Sequence, residues 1–367
     1  MRESVLALLL SFFLAFPLFG EVLRFPSLSP DGKQVAFTYR GDIWSYGLEE
    51  GRAQRVTDNE AFEGYAAFSP DGEWIAFSSK RSGNYDVYVV SAQGGIPRRL
   101  TFHSGDDLVT GWGADGKEIL FQSNRKNMNG LYRVPFEGGG ARPLWKEFWM
   151  VSSWGREAPD GKSLVFNTSS EAYAYWWREG YRGSNGADRW LYRKEKGSFL
   201  KLTEDQGNDL FPAWASDGKS LYYSAHPKGE CQNLFRISAQ GGKPEKITSF
   251  TSGTLRWVTS ASRAPRVVFE HDHKLWLYDA STGETKPLPI LLPSDTKGPD
   301  LFRAKVSKLD GFSLSPDNRK LLLLARGRLY LSDKEGKLVT PLTEGGSRAE
   351  DPLWDRDSQR IYYLSDK

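Results

Sequence analysis

The sequence predicts an all-β fold, a β-propeller of about six four-stranded blades followed by the start of a second propeller. Two observations lead to this prediction. A Pro-Asp-Gly turn recurs along the chain, and each copy lies between short runs of apolar and aromatic residues, as at residues 69–73 between 65–68 and 74–77. Outside the N-terminal segment, no stretch shows the 3.6-residue apolar period that is typical of a helix.

The recurring turn has a clear chemical basis, because proline presets φ at one position and glycine accepts a positive φ at another. Its copies are roughly 40 to 57 residues apart, which overlaps the length of a propeller blade. Clear copies occupy residues 29–33, 69–73, 114–117, 159–162, 216–219 and 315–318, and decayed copies occupy 262–265 and 355–358. One blade cannot bury both of its faces, so the repeats are expected to stack around an axis.

Each repeat follows the same order of four strands. In the second repeat, residues 65–68 precede the turn, and the strands at 74–77, 86–90 and 99–101 follow it. Four antiparallel strands per repeat are typical of a propeller blade. Aromatic residues of the second strand keep a fixed offset from the turn aspartate and are predicted to be core; they are Phe37, Phe77, Phe121, Phe166, Tyr223 and Phe269.

The N-terminus predicts export. Arg2 precedes an apolar run from Val5 to Phe16, and small Gly20 follows, so residues 1–20 are interpreted as a cleavable signal peptide of a periplasmic or secreted protein. The run is short for a membrane span, which needs about 20 apolar residues. The alternative is an uncleaved N-terminal anchor.

The remaining chain divides into three segments. The six blades are assigned to residues 21–293, a Pro-rich charged linker to 294–309, and the first blades of a second propeller to 310–367. The last segment stops midway through a blade, so a truncated second propeller is the favoured interpretation. The alternative is a half-blade that completes one ring of seven or eight blades.

Composition excludes several functions. The formal net charge is +3, with 13 Trp, 16 Tyr and one cysteine, Cys231. A nearly balanced charge argues against nucleic acid as a partner, and a single cysteine excludes an internal disulfide framework. No nucleophile elbow, His-Glu-x-x-His or phosphate-binding loop is present, so no catalytic residue, cofactor or metal site is predicted. His271 and His273 form the sharpest local metal candidate, but a solvated hairpin tip is the favoured interpretation.

Two sets of residues are candidate peptide-binding sites. Glu63, Asp107 and Asp209 lie eight residues before the turn aspartate of their repeats, at the corner that enters the innermost strand. Around one mouth of the channel they would form an anionic funnel for peptide N-termini or basic side chains. The alternative is local capping of backbone N–H groups.

The second set lies in a long insertion in the fourth repeat. Its candidate residues are Trp176, Trp177, Arg178 and Arg182, a mixture of aromatic and cationic groups that is common at interfaces. The alternative is packing across the propeller face or onto an adjoining domain.

The repeat resembles the WD40-like Pro-Asp repeat of TolB-type propellers, and the chain more narrowly resembles the N-terminal part of tricorn-type serine peptidases. The resemblance rests on the turn series, on the insertion at 175–184 leading to 188–192, and on the restart at 311–316 followed by 325–327. It implies a six-bladed propeller that precedes a seven-bladed propeller, a PDZ module and peptidase domains. The catalytic serine would lie in those later domains, and this segment would gate or guide peptides through a central channel.

Two other classes stay open. One is a TolB-like periplasmic scaffold that binds proteins without enzyme activity, and the other is the propeller of a prolyl-oligopeptidase-type enzyme. The expected partners are peptides or unfolded protein segments and the missing C-terminal domains, and a homo-oligomer is compatible with the sequence.

Overall fold

The computed structural model describes residues 22–126, 128–145, 151–178, 181, 183–203, 207–292, 309–325, 327–333, 339–343 and 348–365. These residues form antiparallel sheets with a single short helix, which confirms the predicted all-β propeller class. The predicted signal peptide, residues 1–20, and residues 294–308 of the predicted linker lie outside the described residues.

The chain separates into two compact units, of which Leu23–Ser294 is the larger and residues 295–367 belong to the smaller. The larger unit contains six sheets of four strands, and every sheet is built from four consecutive strands. Blades 1 to 3 comprise β1 Arg24–Leu28, β2 Gln34–Tyr39, β3 Asp42–Gly47, β4 Arg52–Arg55, β5 Glu63–Phe68, β6 Trp74–Ser79, β7 Asp86–Ser91, β8 Arg98–Arg99, β9 Asp107–Trp112, β10 Glu118–Ser123, β11 Gly130–Pro135 and β12 Arg142–Pro143.

Blades 4 to 6 repeat this order, with one helix inserted in blade 4. Their elements are β13 Ser152–Glu157, β14 Ser163–Thr168, α1 Ser170–Ala174, β15 Arg189–Arg193, β16 Ser198–Lys201, β17 Asp209–Trp214, β18 Ser220–Ala225, β19 Asn233–Ser238, β20 Glu245–Lys246, β21 Leu255–Ser260, β22 Arg266–His271, β23 Lys274–Asp279 and β24 Glu284–Pro287. A single helical turn is too short to produce a visible apolar period, so the sequence did not indicate α1. No helix in the described part of the chain is long and apolar enough to cross a bilayer.

The six blades close into a ring. The innermost strand of each blade contacts that of the next, and β1 contacts β21 to complete the circle. At this seam the Arg24 guanidinium lies 2.8 Å from the Glu270 carboxylate, and the Thr259 hydroxyl donates to the carbonyl of Pro26 over 3.1 Å. Because each sheet uses only consecutive strands, the described residues exchange no strand across the seam.

The core lies between the blades. The predicted core aromatics of the second strands are all buried, with at most 2% exposure, which confirms that interpretation for Phe37, Phe77, Phe121, Phe166, Tyr223 and Phe269. They are buried because the second strand is covered by sheets on both sides, as the middle of a stacked blade requires.

The smaller unit, in its described part, has one four-stranded sheet and one pair of strands. Its strands are β25 Gly311–Leu314, β26 Lys320–Ala325, β27 Arg328–Asp333, β28 Val339–Pro341, β29 Ala349–Trp354 and β30 Ile361–Ser365. Its core is small and is formed by Leu322, Leu324, Leu329 and Ala349.

The turn aspartates fix the local chain reversal. Ser29 donates to the Asp31 carboxylate over 2.6 Å, Ser69 donates to Asp71 in the same way, and the backbone N–H groups two residues further on donate to the same carboxylates. Partial burial acts to raise the pKa of Asp31 and Asp71, but these hydrogen bonds outweigh it and lower both pKa values below the ordinary 3.8.

We expect the ring to lose stability in acid through these turns. A carboxyl whose pKa is lower in the folded than in the unfolded chain stabilises the fold above its unfolded pKa, and that contribution disappears as the pH falls through its folded pKa. Replacing both Asp31 and Asp71 with asparagine keeps an acceptor for the backbone N–H groups but removes the titration. The urea midpoint of this variant should therefore fall less than that of the wild type between pH 5 and about pH 3.

The matched control is Glu60→Gln, which removes an exposed carboxylate that is not in a turn of this kind. An equal effect of Glu60→Gln on the pH dependence would show that overall charge, rather than the turns, causes the acid sensitivity.

Candidate functional site

The ring has two faces that the connections between strands distinguish. The Pro-Asp-Gly turns join the first and second strands of each blade, and we call the side on which they lie the turn face. The connections from second to third strands lie on the opposite side. The helix α1 and the insertion that follows it belong to one of these connections, so we call this side the insertion face.

Five aromatic side chains from the innermost strands meet on the axis of the ring, and we call them the axial plug. They are Phe25, Tyr65, Trp154, Phe211 and Trp257. Trp257 lies at the centre, with ring centroids 4.6 Å from Phe25, 4.9 Å from Trp154 and 4.5 Å from Phe211. Burial raises the pKa of the Tyr65 hydroxyl, which therefore remains neutral. The plug closes the channel that the sequence predicted.

All five plug residues have a left-handed backbone, with φ between 52° and 58°. Each lies within an irregularity of the pairing between the first and second strands, where extra residues bulge from the inner strand. This conformation is unfavourable for bulky residues and costs about 1–3 kcal/mol per residue. In the third blade the equivalent position is occupied by Val109, which is not aromatic and does not belong to the plug. Strain repeated at five equivalent positions indicates that the ring needs these side chains on its axis.

The insertion covers the plug. The Trp154 indole N–H donates to the carbonyl of Ala172 over 2.7 Å, which ties α1 to the fourth blade. The Trp176 ring lies 4.9 Å from that of Trp257, and the Arg256 guanidinium stacks over Trp176 at 5.3 Å. Trp176 therefore packs onto the propeller. This agrees with the alternative interpretation of the insertion, which is packing across the propeller face.

The other candidate residues of the insertion are more accessible. Trp177 is 52% exposed, and Tyr175 is 40% exposed beside it. Arg178 forms an ion pair with Glu171 at 3.1 Å and stacks over the Tyr175 ring. Arg182 lies outside the described residues. Trp177, Tyr175 and Arg178 thus form a small aromatic and cationic surface on the insertion face.

The predicted anionic funnel is not what the structure shows. Glu63 and Asp107 are fully buried, and each forms an ion pair with an arginine from its own blade, Arg81 and Arg125 respectively. The Ser79 hydroxyl also donates to Glu63 over 3.0 Å. These carboxylates present no unbalanced charge to a ligand, and the geometry supports the alternative that they anchor local structure.

Asp209 is also buried but takes its partner from the neighbouring blade. Its carboxylate lies 3.7 Å from the fully buried Arg189, at the start of the third strand of blade 4.

The sequence contained a signal for two of these arginines. Ser-x-Arg occurs at the end of the second strand at 79–81 and 123–125, in two blades that carry the corner carboxylate. Blade 5 has Ala225, His226 and Pro227 there instead, and its arginine comes from another repeat.

The axis continues beyond the plug to the turn face. A cavity of about 30 Å³ lies directly against the plug, and a larger one of about 310 Å³ lies among the turns. We call the larger one the turn-face cavity. Trp112, Trp214 and three turn prolines belong to its walls, and Arg156 lines both cavities.

His271 is not at a solvated hairpin tip, although His273 is in the two-residue turn beside it. The His271 imidazole is buried, stacks on Phe250 at 3.7 Å and has its Nε2 3.0 Å from the carbonyl oxygen of Ser252. Burial lowers its pKa and keeps it neutral at physiological pH. In the described residues, no three His, Cys, Asp or Glu side chains form a group that would hold a metal.

The closed six-bladed ring and its plugged axis define a β-propeller domain. Comparison with known families places it more closely. Residues 20–284 match the family model of the tricorn protease N-terminal β-propeller domain, and the chain belongs to this family. The match covers the first five blades and the sixth as far as the first residue of β24.

The relatives are much longer proteins. Tricorn protease homolog 1 of Streptomyces coelicolor is 29% identical over 81% of this chain, which corresponds to 27% of that protein. Putative tricorn protease homolog 2 of the same organism is 28% identical over 94% of the chain and 30% of its own length. The chain thus spans less than a third of these curated relatives.

Solved structures show the same fold. The crystal structure of the tricorn protease superposes with a TM-score of 0.65 at 20% identity, over 94% of this chain and 35% of that one. A putative TolB from Agrobacterium tumefaciens gives a TM-score of 0.54 at 22% identity, over 64% of this chain and 83% of its own.

Proposed function

We propose that this chain is the non-catalytic propeller part of an exported tricorn-type peptidase and that its six-bladed ring gates the access of peptide substrates. The axial plug is the observation that carries the gating role. Hydrolysis would take place in domains beyond this segment, since the relatives are tricorn proteases of more than three times the matched length.

The plug is a barrier to any polypeptide. An extended chain needs a passage of about 5 by 10 Å for its backbone and side chains, whereas the cavity beside the plug has a volume of about 30 Å³. A peptide can pass only if Trp257 and the covering Trp176 move aside. The strain in the plug backbone favours such movement, because left-handed bulky residues are held in place only by surrounding contacts.

The surface beside the plug is suited to hold peptides. Trp177, Tyr175 and Arg178 combine two accessible rings with a guanidinium that stays exposed beside its partner Glu171, and Trp, Tyr and Arg are the residue types that contribute most at protein interfaces. Peptides or unfolded segments would dock on the insertion face before the plug opens. This surface replaces the buried corner carboxylates as the proposed contact with the substrate.

A docking scaffold is the second candidate, because the accessible rings of Trp177 and Tyr175 could hold a protein segment whether or not the plug opens. In that case the TolB-like ring would bind protein segments on the insertion face, and the plug would stay shut.

Photo-crosslinking distinguishes gating from docking. An unstructured peptide carrying benzophenone is mixed with the full chain, and the labelled residues are mapped by mass spectrometry. Gating predicts labels on Tyr175 and Trp177 and slower labels on Trp112 and Trp214, beyond the plug. The double variant Trp176→Ala/Trp257→Ala should increase the slower labels about tenfold.

The control is Trp177→Ala, which leaves the plug intact. It should weaken peptide binding without changing the ratio of labels on the two faces. Labels confined to the insertion face in the wild type would contradict gating and favour docking. An absence of labels on both faces would contradict both proposals. Export is tested separately by N-terminal sequencing of the exported protein. Its sequence should begin near Glu21.

A further inference from the structure

One guanidinium of the larger unit borders two cavities on the axis of the ring. Arg156 is the fifth residue of β13, and its side chain points to the axis, where it lines both the small cavity and the turn-face cavity. Among the described residues, no hydrogen bond or ion pair involves this guanidinium. The arginines of the corner ion pairs, by contrast, each face a carboxylate.

The neighbouring backbone leaves space for this cation. A side-chain Cβ at Gly111, on the innermost strand of blade 3, would lie only 3.3 Å from Nη1 of Arg156. A glycine at this position therefore lets the guanidinium reach the axis.

The adjacent carboxylate does not neutralise Arg156. Glu157 forms ion pairs with Arg133 at 3.0 Å and with Lys194, and it accepts the backbone N–H of Ala114 over 2.7 Å. Glu157 also lines the turn-face cavity, but its carboxylate is already bound by these two cations and by the Ala114 N–H. At the rim of the cavity lies a second arginine, the exposed Arg263, whose charge acts on the turn carboxylates Asp31 and Asp71.

Burial lowers the pKa of Arg156 to about 10, so the guanidinium still carries its charge at neutral pH. A charge that is largely removed from water is costly unless an opposite charge and hydrogen bonds compensate it. The guanidinium fork matches a carboxylate with two parallel hydrogen bonds. An oxyanion would therefore complement Arg156 in charge and in hydrogen-bond geometry.

The other walls of the turn-face cavity indicate the chemical character of the ligand beyond its oxyanion. The indole N–H of Trp112 donates to Ala67 over 2.9 Å, and that of Trp214 donates to the carbonyl of Arg156 over 3.1 Å. Both indoles are thereby fixed and offer mainly apolar surface. A volume of about 310 Å³ exceeds that of a bare ion and falls at the lower end of small-molecule pockets.

We propose that the turn-face cavity is a binding site for an organic carboxylate with an apolar or aromatic body, and that Arg156 binds its carboxylate. The carboxylate belongs either to a free small acid or to a peptide. This inference is independent of the proposed gating role, because it concerns the other side of the plug.

The test is a titration of the full chain with phenylacetate in Bis-Tris propane buffer of low ionic strength, which contains no oxyanion, followed by calorimetry and tryptophan fluorescence. Saturable binding is expected for phenylacetate and not for 2-phenylethylamine, which has the same ring and the opposite charge. Arg156→Gln should weaken binding at least tenfold, whereas Arg263→Gln at the rim should weaken it less than about threefold. Gly111→Ala should also weaken binding although it keeps the charge, because its methyl group crowds Nη1.

Two further probes identify the source of the carboxylate. N-acetyl-Gly-Phe with a free C-terminus is compared with its amide and with phenylacetate. Tighter binding of the dipeptide acid than of phenylacetate assigns the site to peptides, and the reverse order assigns it to small acids. Thermal unfolding checks that Arg156→Gln is folded. The proposal is overturned if no carboxylate binds up to about 10 mM, or if folded Arg156→Gln and Gly111→Ala both bind as the wild type does.

Discussion

Replacement of Asp209 with asparagine is expected to lower the free energy of unfolding by about 3–5 kcal/mol, the usual cost of leaving a buried charge without its partner. The partner is Arg189, which has no exposed surface and lies over the Tyr223 ring. In the described residues none of its three guanidinium nitrogens has a hydrogen-bond acceptor. The 3.7 Å contact with Asp209 is therefore its main compensation. Urea unfolding monitored by tryptophan fluorescence measures the change.

Arg189→Met provides the matched comparison. It removes the cation and fills most of its volume with an apolar chain, which is often tolerated at buried ion pairs. We expect it to cost less than Asp209→Asn, and the double variant to be more stable than Asp209→Asn alone. Equal losses in both single variants and additive losses in the double variant would show that the two groups do not compensate each other.

Replacement of Trp257 with alanine is expected to be similarly damaging, at about 3–5 kcal/mol, because it removes the centre of the axial plug and leaves a cavity. Trp257→Gly should lower the free energy of unfolding by about 1 kcal/mol less than Trp257→Ala does. Trp257 has φ 54°, which is strained for alanine and relaxed for glycine. In an ordinary strand the order is the opposite, because glycine loses more backbone freedom on folding.

The neighbouring Val258 is the control for this order. It is buried to 1% exposure and lies in the same strand, outside the residues with positive φ. At Val258, glycine should be the more damaging replacement. If glycine is also worse than alanine at Trp257, the left-handed conformation does not contribute to the energy of the plug.

The features that the sequence could predict are local. The Pro-Asp-Gly turns and the fixed offset of Phe77 and its equivalents depend on residues only a few positions apart, and these indicated the blades and their core. The partner of Glu63 could also have been predicted from the sequence, because Arg81 follows the second strand in a Ser-x-Arg pattern that recurs in blade 3.

Other features depend on the closed ring. Arg189 meets Asp209 across two repeats, and Trp154 and Trp257 meet only after all six blades have assembled. Aromatic residues in a strand are ordinarily interpreted as extended and core-facing, so the left-handed bulge that turns them to the axis has no sequence signal of its own. The charge of Arg156 was not singled out for the same reason, because its lack of a partner is a property of the assembled axis.

The seam of the ring has a consequence for how such domains change in evolution. Each blade is built from four consecutive strands of its own repeat. The circle is completed by side-chain contacts and a few hydrogen bonds between β1 and the sixth blade, including the ion pair of Arg24 with Glu270. Duplication or loss of one whole repeat therefore leaves every hydrogen-bonded sheet intact. The number of blades is set by the angle at which neighbouring blades pack, so a new repeat number requires compensating changes at every interface between blades and not only at the seam.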